Sequence, residues 1–90
     1  MLNLRFSKKF NKDIKLLKRR NYDLKKLKDV ILTLREQNKL SEKYKDHALS
    51  GNYSEYRECH IEPDWLLIYK IDNKQLILVL TRTGSHSDLF

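Results

Sequence analysis

The residues best suited to chemistry lie around one predicted turn. Pro63 fixes its own φ and donates no amide hydrogen, so a strand should end there and the chain should turn. His60 precedes this turn, and Asp64 and Trp65 follow it. An imidazole and a carboxylate can exchange protons, because histidine titrates near neutral pH, and an indole offers a flat surface for stacking. The turn therefore predicts a site for acid–base chemistry at one end of a sheet.

Pairing of the predicted strands brings further side chains to this turn. Three runs in the second half of the chain are rich in aromatic and branched apolar residues, as strands are. They are residues 53–61, 66–71 and 75–81. The third strand should run antiparallel to the second, so its end near Arg82 lies beside Trp65. We therefore expect Arg82 and His86 to approach His60 and Asp64.

The first half of the chain supplies a short strand and two helices. Leu2, Leu4 and Phe6 alternate with polar residues, which predicts a half-buried strand. Ser7 and Asp23 are suitable helix N-caps. Apolar residues recur at helical spacing after each cap: Phe10, Ile14 and Leu17, then Leu24, Leu27, Ile31 and Leu34. The order β-α-α-β-β-β predicts an α+β fold, in which a two-helix hairpin packs on one face of a small, mostly antiparallel sheet. The other face is left for the site.

Two segments are predicted as irregular structure. Residues 38–53 lack a sustained apolar period and form a loop that carries His47. Leu49 is expected to anchor this loop on the core, which would hold His47 in place. Asp72-Asn73-Lys74 is predicted as a hairpin turn, because asparagine tolerates a positive φ. The apolar runs on both sides of this turn are continuous, so the two strands should be central in the sheet.

The composition describes a small, basic chain. Its 90 residues are enough for one domain with a modest core, and its formal net charge is +7. Residues 1–46 hold 15 Lys or Arg and 6 Asp or Glu, whereas residues 47–90 hold 4 and 6. The single cysteine, Cys59, cannot form an internal disulfide, which fits a reducing compartment. No stretch has the pattern of a signal peptide or of a bilayer-spanning segment, so we expect a cytoplasmic protein with no membrane partner.

One face of the first predicted helix is strongly basic. The residues opposite its apolar stripe are Lys8, Lys12, Lys15 and Arg19. Like charges at these spacings repel mildly. Basic faces commonly serve solubility, and they are also the electrostatic footprint of a protein that binds nucleic acid. All three histidines lie in the other half of the chain, which suggests capture of a polyanion by one part and chemistry by another.

Three segments of the sequence resemble the YafQ-type toxins, a branch of the RelE superfamily of bacterial mRNA interferases from type II toxin–antitoxin pairs. They are residues 46–51, Asp-His-Ala-Leu-Ser-Gly, residues 58–65, Glu-Cys-His-Ile-Glu-Pro-Asp-Trp, and residues 82–90, Arg-Thr-Gly-Ser-His-Ser-Asp-Leu-Phe. Other branches use Lys, Arg and Tyr where this chain has His and Asp, so the histidines select the branch. The resemblance covers nearly the whole chain, including the order of its elements.

This resemblance implies a RelE-like fold and metal-independent cleavage of mRNA, typically in the ribosomal A site, with no cofactor. A small antitoxin would hold the toxin inactive by wrapping it. Cleavage by the RNA's own 2′-hydroxyl needs a base near that hydroxyl and an acid near the departing 5′-oxygen. The family usually gives the acid role to its tail histidine, here His86. His47, His60 and Asp64 remain as alternatives for the base or for the group that orients it.

The resemblance also suggests how the substrate is held. Arg82 offers a permanently charged, planar fork for the phosphate. Trp65 and Phe90 would stack bases splayed from single-stranded RNA. The basic helix face of Lys8, Lys12, Lys15 and Arg19 would bind the RNA or ribosome backbone.

Three other readings remain open. The histidines and Asp64 could bind zinc, although their spacing is unlike the close-set pairs usual in zinc sites. The chain could be a non-catalytic basic module that binds RNA or DNA through its helices. It could also be a degenerate toxin that retains only the binding of its antitoxin.

Overall fold

The computed structural model describes residues 1–90. It contains one five-stranded sheet in the order β1-β5-β4-β3-β2, in which β1 runs parallel to β5 and every other pair is antiparallel. This confirms the predicted α+β architecture. The elements are β1 (Asn3–Phe6), α1 (Lys8–Arg19), α2 (Leu24–Arg35), β2 (His47–Ala48), β3 (Arg57–Glu62), β4 (Trp65–Asp72), β5 (Ile77–Gly84) and α3 (His86–Leu89), with short 3₁₀ turns at Glu42–Tyr44 and Gly51–Tyr53.

The two long helices begin at the predicted caps. Ser7 Oγ accepts the N–H of Phe10 at 2.9 Å, and Asp23 Oδ1 accepts the N–H of Lys25 at 3.2 Å. Each bond satisfies an amide that has no partner within the helix. The helices are joined by four residues, one of which, Asn21, has a φ of 59°. A connection this short makes the helices antiparallel neighbours.

The core lies between the helices and one face of the sheet. Leu67, Leu78 and Leu80 are 0% exposed on the two central strands, and Phe10 and Leu17 of α1 are 2% and 1% exposed. Burial of a leucine or phenylalanine side chain contributes about 1.5–3 kcal/mol. The other buried members of this cluster are Leu2, Leu27, Val30, Ile31, Leu34, Leu40, Cys59, Ile61, Trp65 and Tyr69. Neither helix would be stable alone at this length, so the sheet is what holds them.

A β-bulge in β5 divides the side chains between the two faces of the sheet. Tyr69 pairs with Leu80 and Ile68 pairs with Arg82, so Thr81 is an extra residue on β5. Strict alternation would place Arg82 on the same face as Leu80, against the helices. The bulge shifts the alternation by one residue. Arg82 therefore shares the outer face with Ile68.

Beyond this bulge, one edge of β5 is free of a partner strand. β1 pairs with β5 only from Ile77 to Leu80. Past that point α1 takes over the edge: Ser7 Oγ donates to the carbonyl of Thr81 at 2.7 Å, and Asp13 accepts the N–H of Thr83 at 3.1 Å. The helix thus satisfies backbone groups that a longer β1 would have bonded.

Three local predictions are wrong. The strand expected from Tyr53 begins at Arg57, because Gly51–Tyr53 forms a 3₁₀ turn. Within the predicted loop, His47–Ala48 pairs with β3 as a two-residue strand. In the hairpin between β4 and β5, the positive φ of 56° belongs to Leu76.

No helix of the structure has both the length and the apolar character needed to cross a lipid bilayer.

Candidate active site

The candidate site lies on the sheet face opposite the two long helices, as predicted. His47 pairs with Glu58, Glu58 with Ile68, and Ile68 with Arg82. Paired residues in a sheet direct their side chains to the same face. One row of side chains, polar except for Ile68, therefore crosses four strands, from a histidine on β2 to an arginine on β5.

Glu58 lies between two histidines. Its Oε1 is 3.6 Å from His47 Nε2 and 3.8 Å from His60 Nε2. The Nδ1 atoms of the two rings lie 2.7 Å from the carbonyl oxygen of Lys45 and 3.2 Å from that of Pro63, respectively. A carbonyl can only accept a hydrogen bond, so in each neutral ring Nδ1 carries the hydrogen and Nε2 is bare. Both histidines thus present a proton acceptor on the Glu58 side.

His86 is held by Asp64. Asp64 Oδ1 lies 2.5 Å from His86 Nδ1 and accepts the backbone N–H of His86 at 3.0 Å. The backbone hydrogen bond, followed by the side-chain one, keeps the pKa of Asp64 below its ordinary value. Asp64 is therefore ionised at neutral pH. Because Nδ1 is bonded to Asp64, the free nitrogen of His86 is Nε2.

The short helix α3 that carries His86 is built from local bonds and one ion pair. Asp88 accepts the N–H of Ser85 at 3.0 Å, and Ser85 Oγ accepts the N–H of Asp88 at 3.2 Å, which forms a capping box. Arg20, the C-cap residue directly after α1, donates to Asp88 at 2.8 Å, and this bond is the main reason that the pKa of Asp88 is lowered. At Gly84, φ is 157° and a Cβ atom would lie 3.1 Å from the Cβ of Asp88. Glycine at this position lets the tail fold back over the sheet.

The imidazoles of His60 and His86 converge. Their ring centroids are 5.9 Å apart, with an angle of 51° between the ring planes. His60 pairs with Leu66, and Leu66 pairs with Gly84, two residues before His86. The strand pairing predicted from sequence therefore brings these rings together. Their chemical roles remain predictions.

Arg82 has a helical partner that the sequence did not indicate. Its Nε and Nη2 donate to the two carboxylate oxygens of Asp13 on α1, at 2.8 and 3.1 Å. The hydrogen bonds to Asp13 raise the pKa of the Arg82 guanidinium above its ordinary value. The expectation of a wholly free phosphate fork is therefore corrected, since two of the three nitrogens are engaged by Asp13. Nη1 makes no hydrogen bond within the protein.

Trp65 is a core residue. It is 1% exposed, its ring packs edge-on against Tyr22 at 4.9 Å, and its Nε1 donates to Thr83 Oγ1 at 2.9 Å. A side chain buried on the helix side of the sheet cannot stack on a base. The prediction that Trp65 binds substrate is therefore wrong.

Phe90 has the opposite environment. It is 75% exposed and lines a groove of about 500 Å³ on the outer face, together with Arg82. Its N–H donates to the carbonyl oxygen of His86 at 2.9 Å, so its backbone is tied to α3. Phe90 is thus available to a base, and its predicted stacking role stays open.

The predicted basic face of α1 is exposed. Its members Lys8, Lys12, Lys15 and Arg19 all lie on the solvent side of the helix. A different face of α1 meets the site, because Asp13 and Arg20, which contact Arg82 and Asp88, are spaced seven residues apart along one side. The basic face is therefore next to the candidate site without being part of it.

The loop that carries His47 is anchored mainly by Asp46. Its carboxylate accepts hydrogen bonds from Tyr69 Oη at 2.6 Å and from Arg57 Nη2 at 3.2 Å. Burial and the hydrogen bond to Asp46 raise the pKa of the Tyr69 hydroxyl. Leu49, the predicted anchor, is only half-buried. Asp46 thus fixes the adjacent His47 through polar contacts with β3 and β4.

Sequence reasoning overlooked three carboxylates: Asp13, Asp46 and Glu58. For Glu58 a signal was present, because it precedes His60 by two residues on a predicted strand and so shares its face. Asp46 directly precedes a candidate histidine, which is a weaker signal. Nothing in the sequence pairs Asp13 with Arg82, which is 69 residues away.

The candidate zinc ligands are not assembled into a metal site. No group of three or more His, Cys, Asp or Glu side chains has an arrangement that could hold a metal ion. His86 is bonded through Nδ1 to Asp64, and His47 and His60 meet at a single carboxylate. The candidate ligands make two sets of contacts, Asp64 with His86, and Glu58 with His47 and His60.

Comparison with known proteins identifies the family. The profile described as bacterial toxin of type II toxin–antitoxin system, YafQ, matches residues 2–90. The chain belongs to the YafQ family. It is 43% identical over 90 residues to the mRNA interferase toxin YafQ of Escherichia coli K12, covering 98% of this chain and 95% of that protein. The resemblance found in the sequence is confirmed over almost its full length.

Solved structures share the fold closely. A metal-bound toxin from Helicobacter pylori is 48% identical and superposes with a TM-score of 0.94 over 100% of both chains. The toxin in the E. coli DinJ–YafQ complex is 40% identical, with a TM-score of 0.91 over 100% of this chain and 99% of that chain. One of these two toxins was therefore crystallised with a metal and the other in a complex with DinJ.

Proposed function

We propose that this chain is the toxin of a type II toxin–antitoxin system and that it cleaves mRNA as an endoribonuclease. Its membership of the YafQ family and the interferase name of its E. coli relative support this. The observation that carries the proposal at the atomic level is the convergence of the His60 and His86 rings to 5.9 Å on an open sheet face.

His86 acts as the general acid in this proposal. Asp64 fixes its ring through Nδ1, which leaves Nε2 to protonate the departing 5′-oxygen. Asp64 itself is a poor base, because its pKa is lowered by the His86 hydrogen bonds. Asp64 is therefore assigned as the group that orients the acid, and the choice of base falls on the other two histidines.

His60 or His47 acts as the general base. Each presents a bare Nε2 near Glu58, and a ring that takes the proton of the 2′-hydroxyl becomes positively charged. Glu58, which is 8% exposed, is placed to stabilise that charge in a poorly solvated position. His60 is favoured because its ring is the one that approaches His86, while His47 lies on the far side of Glu58.

Arg82 binds the phosphate through its free nitrogen. The ion pair with Asp13 fixes the guanidinium plane and leaves the N–H groups of Nη1 without a partner in the protein, so they can bind the phosphate. A preorganised cation stabilises the negative charge that accumulates on the phosphate in the transition state. The basic face of α1 adds sequence-independent attraction for RNA or for the ribosome, which would place the reaction in the cytoplasm.

The antitoxin covers a second, apolar groove in this proposal. A cavity of about 510 Å³ lies between α1, α2 and β1, and its lining includes Phe6 and Leu32, which are 48% and 42% exposed. Lys28 and Arg35 also line it, and β1 is an edge strand with a free side. An amphipathic, partly acidic segment fits such a surface. The DinJ–YafQ complex of a relative supports a protein partner for this chain.

The decisive experiment compares wild type with His86→Ala after induction in cells, by mapping the ends of cleaved transcripts. Wild type should cleave mRNA and arrest growth, and His86→Ala should lose roughly 10²–10⁴-fold of the cleavage rate while its RNA affinity stays nearly unchanged. Equal cleavage by the variant would refute the acid assignment. Growth without arrest in wild type would favour a degenerate toxin.

A metal mechanism is tested by measuring RNA cleavage with purified protein. Cleavage should persist after treatment with a chelator, because the proposed proton transfers use only histidines and carboxylates. Loss of cleavage that returns on addition of zinc alone would show that a metal is required.

A further inference from the structure

The groove on the outer face that Phe90 and Arg82 line has the chemistry of a base-binding site. It measures about 500 Å³, within the range of about 300–1,000 Å³ that holds small organic ligands. Three aromatic residues line it, Tyr53, Tyr56 and Phe90, and Ile68 is also part of its lining. None of the three histidines belongs to the lining.

Two of the three aromatic residues of this groove are largely exposed to solvent, and Tyr56 is half-buried. Tyr53 is 65% exposed and Phe90 is 75% exposed. The Tyr53 and Tyr56 rings lie 6.4 Å apart, with 57° between their planes, so they form two walls and do not stack on each other. The Lys70 ammonium lies 5.2 Å from the centre of the Tyr56 ring, which steadies that wall. A cluster of exposed aromatic rings in a concave surface marks a binding site.

Two cations complete the groove. Lys9 and Arg82 both line it, and Arg82 keeps Nη1 free of protein partners. The ligand should therefore combine a flat aromatic part with a negative charge. An unpaired nucleotide has this composition, since its base stacks on aromatic side chains and its phosphate binds Lys or Arg.

The groove is continuous with the segments that carry the histidines. Leu49 and Ser50, two and three residues after His47, line it, as does Leu89, three residues after His86. Ile68 pairs with both Glu58 and Arg82, so the groove opens directly beside the row of polar groups. A strand whose phosphate lay between His60 and His86 would bring a neighbouring nucleotide to this opening.

We infer that this groove binds one unpaired base of the RNA, adjacent to the phosphodiester that is cleaved. The inference rests on the proposed function for the choice of RNA as ligand. Tyr53 and Phe90 stack on the base, Tyr56 contacts its edge, and Lys9 with Arg82 binds its phosphate. The groove thereby makes the toxin sensitive to one nucleotide beside the cleaved bond.

The test is a binding experiment with single-stranded RNA in which one base at a time is removed. The protein is His86→Ala, which prevents cleavage, compared with the double variant His86→Ala/Tyr53→Leu. Removal of the base at one position should weaken binding to His86→Ala by about 5- to 150-fold, the usual range for a stacked base. In the double variant, removal of the same base should have almost no further effect.

Phe90→Leu serves as a second variant, since a residue this exposed can be changed without disturbing the fold. Phe6→Leu is the matched control: it removes an exposed ring from the opposite side of the molecule and should leave the whole base series unchanged. Equal losses at every position in all variants would overturn the inference. Equal binding of RNA by His86→Ala and by the double variant would also overturn it.

The experiment separates this inference from the proposed function. If base removal has no position-specific effect while wild type still cleaves transcripts, the groove inference is wrong and the proposed nuclease activity stands. A position-specific loss that depends on Tyr53, with no cleavage by wild type, would support the groove and refute the nuclease.

Discussion

Glu58 is one of two polar residues that are buried in this chain, with Thr83. The hydroxyl of Thr83 is fully occupied, because it accepts from Trp65 and donates to the carbonyl of Leu66 at 2.8 Å. Glu58 has no such hydrogen bonds and faces only two histidines, at 3.6 and 3.8 Å. A buried carboxylate is costly unless a positive charge compensates it. At the residue scale, we therefore expect Glu58 to position the histidine that takes the proton and to stabilise its positive charge.

Glu58→Gln should therefore slow cleavage while leaving RNA affinity nearly unchanged. Two charges about 4 Å apart near a protein surface interact by about 4 kcal/mol, and solvent at the half-exposed His47 reduces this. We expect the single-turnover rate to fall roughly 10- to 100-fold, with an altered pH–rate profile. Glu62→Gln is the control, since Glu62 contacts only the exposed Lys26, at 3.5 Å. An unchanged pH–rate profile in Glu58→Gln would contradict the role.

Asp13 is the second positioning residue that the structure adds. It holds both the guanidinium of Arg82 and the N–H of Thr83. In Asp13→Asn one acceptor oxygen is lost, so the Arg82 guanidinium is no longer held in one position. The cleavage rate at saturating RNA should fall by roughly 10²-fold, because a small displacement of a group that binds the reacting centre has an effect of this size. Asp29→Asn, a change at an exposed aspartate of α2 with no side-chain partner, is the matched control. A fall in affinity alone, with the saturated rate intact, would show that Asp13 does not position the cation.

The residue-scale predictions from sequence succeeded where alternation and turn chemistry decide the outcome. His60 and His86 were placed together by strand pairing alone, and their rings lie 5.9 Å apart. Trp65 and Arg82 were misjudged because distant residues decide their surroundings. Trp65 packs against Tyr22 in the core, and Arg82 is bound by Asp13, which is 69 residues away in the chain.

At the scale of elements, α3 is the part of the site most dependent on ionised groups. It has one turn, closed by the Ser85–Asp88 capping box and held by the Arg20–Asp88 ion pair. The pKa of Asp88 lies below its ordinary value of 3.8 because Arg20 and the N–H of Ser85 favour the carboxylate. The folded state therefore binds this proton less readily than the unfolded state. The stability that Asp88 contributes is present above about pH 4 and is lost as the pH falls through its folded pKa.

Asp88→Asn should reveal this dependence. The free energy of unfolding of wild type should exceed that of Asp88→Asn at pH 6, and the difference should shrink as the pH falls below about 4. Chemical denaturation at a series of pH values measures it, with Asp29→Asn as the control. A difference that stays constant down to pH 3 would show that the carboxylate charge is irrelevant to α3.

The elements themselves and the starts of both long helices were predictable, whereas the start of β3 was not. The caps at Ser7 and Asp23 were recognised from residue type, and both form the expected hydrogen bonds. The strand expected from Tyr53 begins four residues later at Arg57. Aromatic residues there favoured a strand, but tertiary structure uses Tyr53 and Tyr56 as groove walls. β propensity describes a half-buried surface and cannot tell a strand from an aromatic pocket.

At the scale of the whole molecule, charge and chemistry are divided between two surfaces. Replacing Lys8, Lys12, Lys15 and Arg19 by glutamine should weaken RNA binding and reduce the slope of log affinity against log salt. The reduction should reach about 3 if all four contact single-stranded phosphates. Cleavage at saturating RNA should change little, since none of the four lines the site. Glutamine at Lys25, Lys39, Lys43 and Lys74 matches the loss of charge elsewhere and should have the smaller effect. An equal effect of both sets would mean that net charge alone matters.

Helix α1 is attached to the reaction centre at two points, through Asp13 to Arg82 and through Arg20 to Asp88. An adjacent face of the helix, with Phe10 and Ile14, forms a wall of the apolar groove beside β1. A protein bound in that groove would contact the same helix that holds Arg82 and α3 in place. Displacement of α1 by about 1 Å would shift both relative to His60, so binding there would inhibit the proposed cleavage without any contact with the histidines.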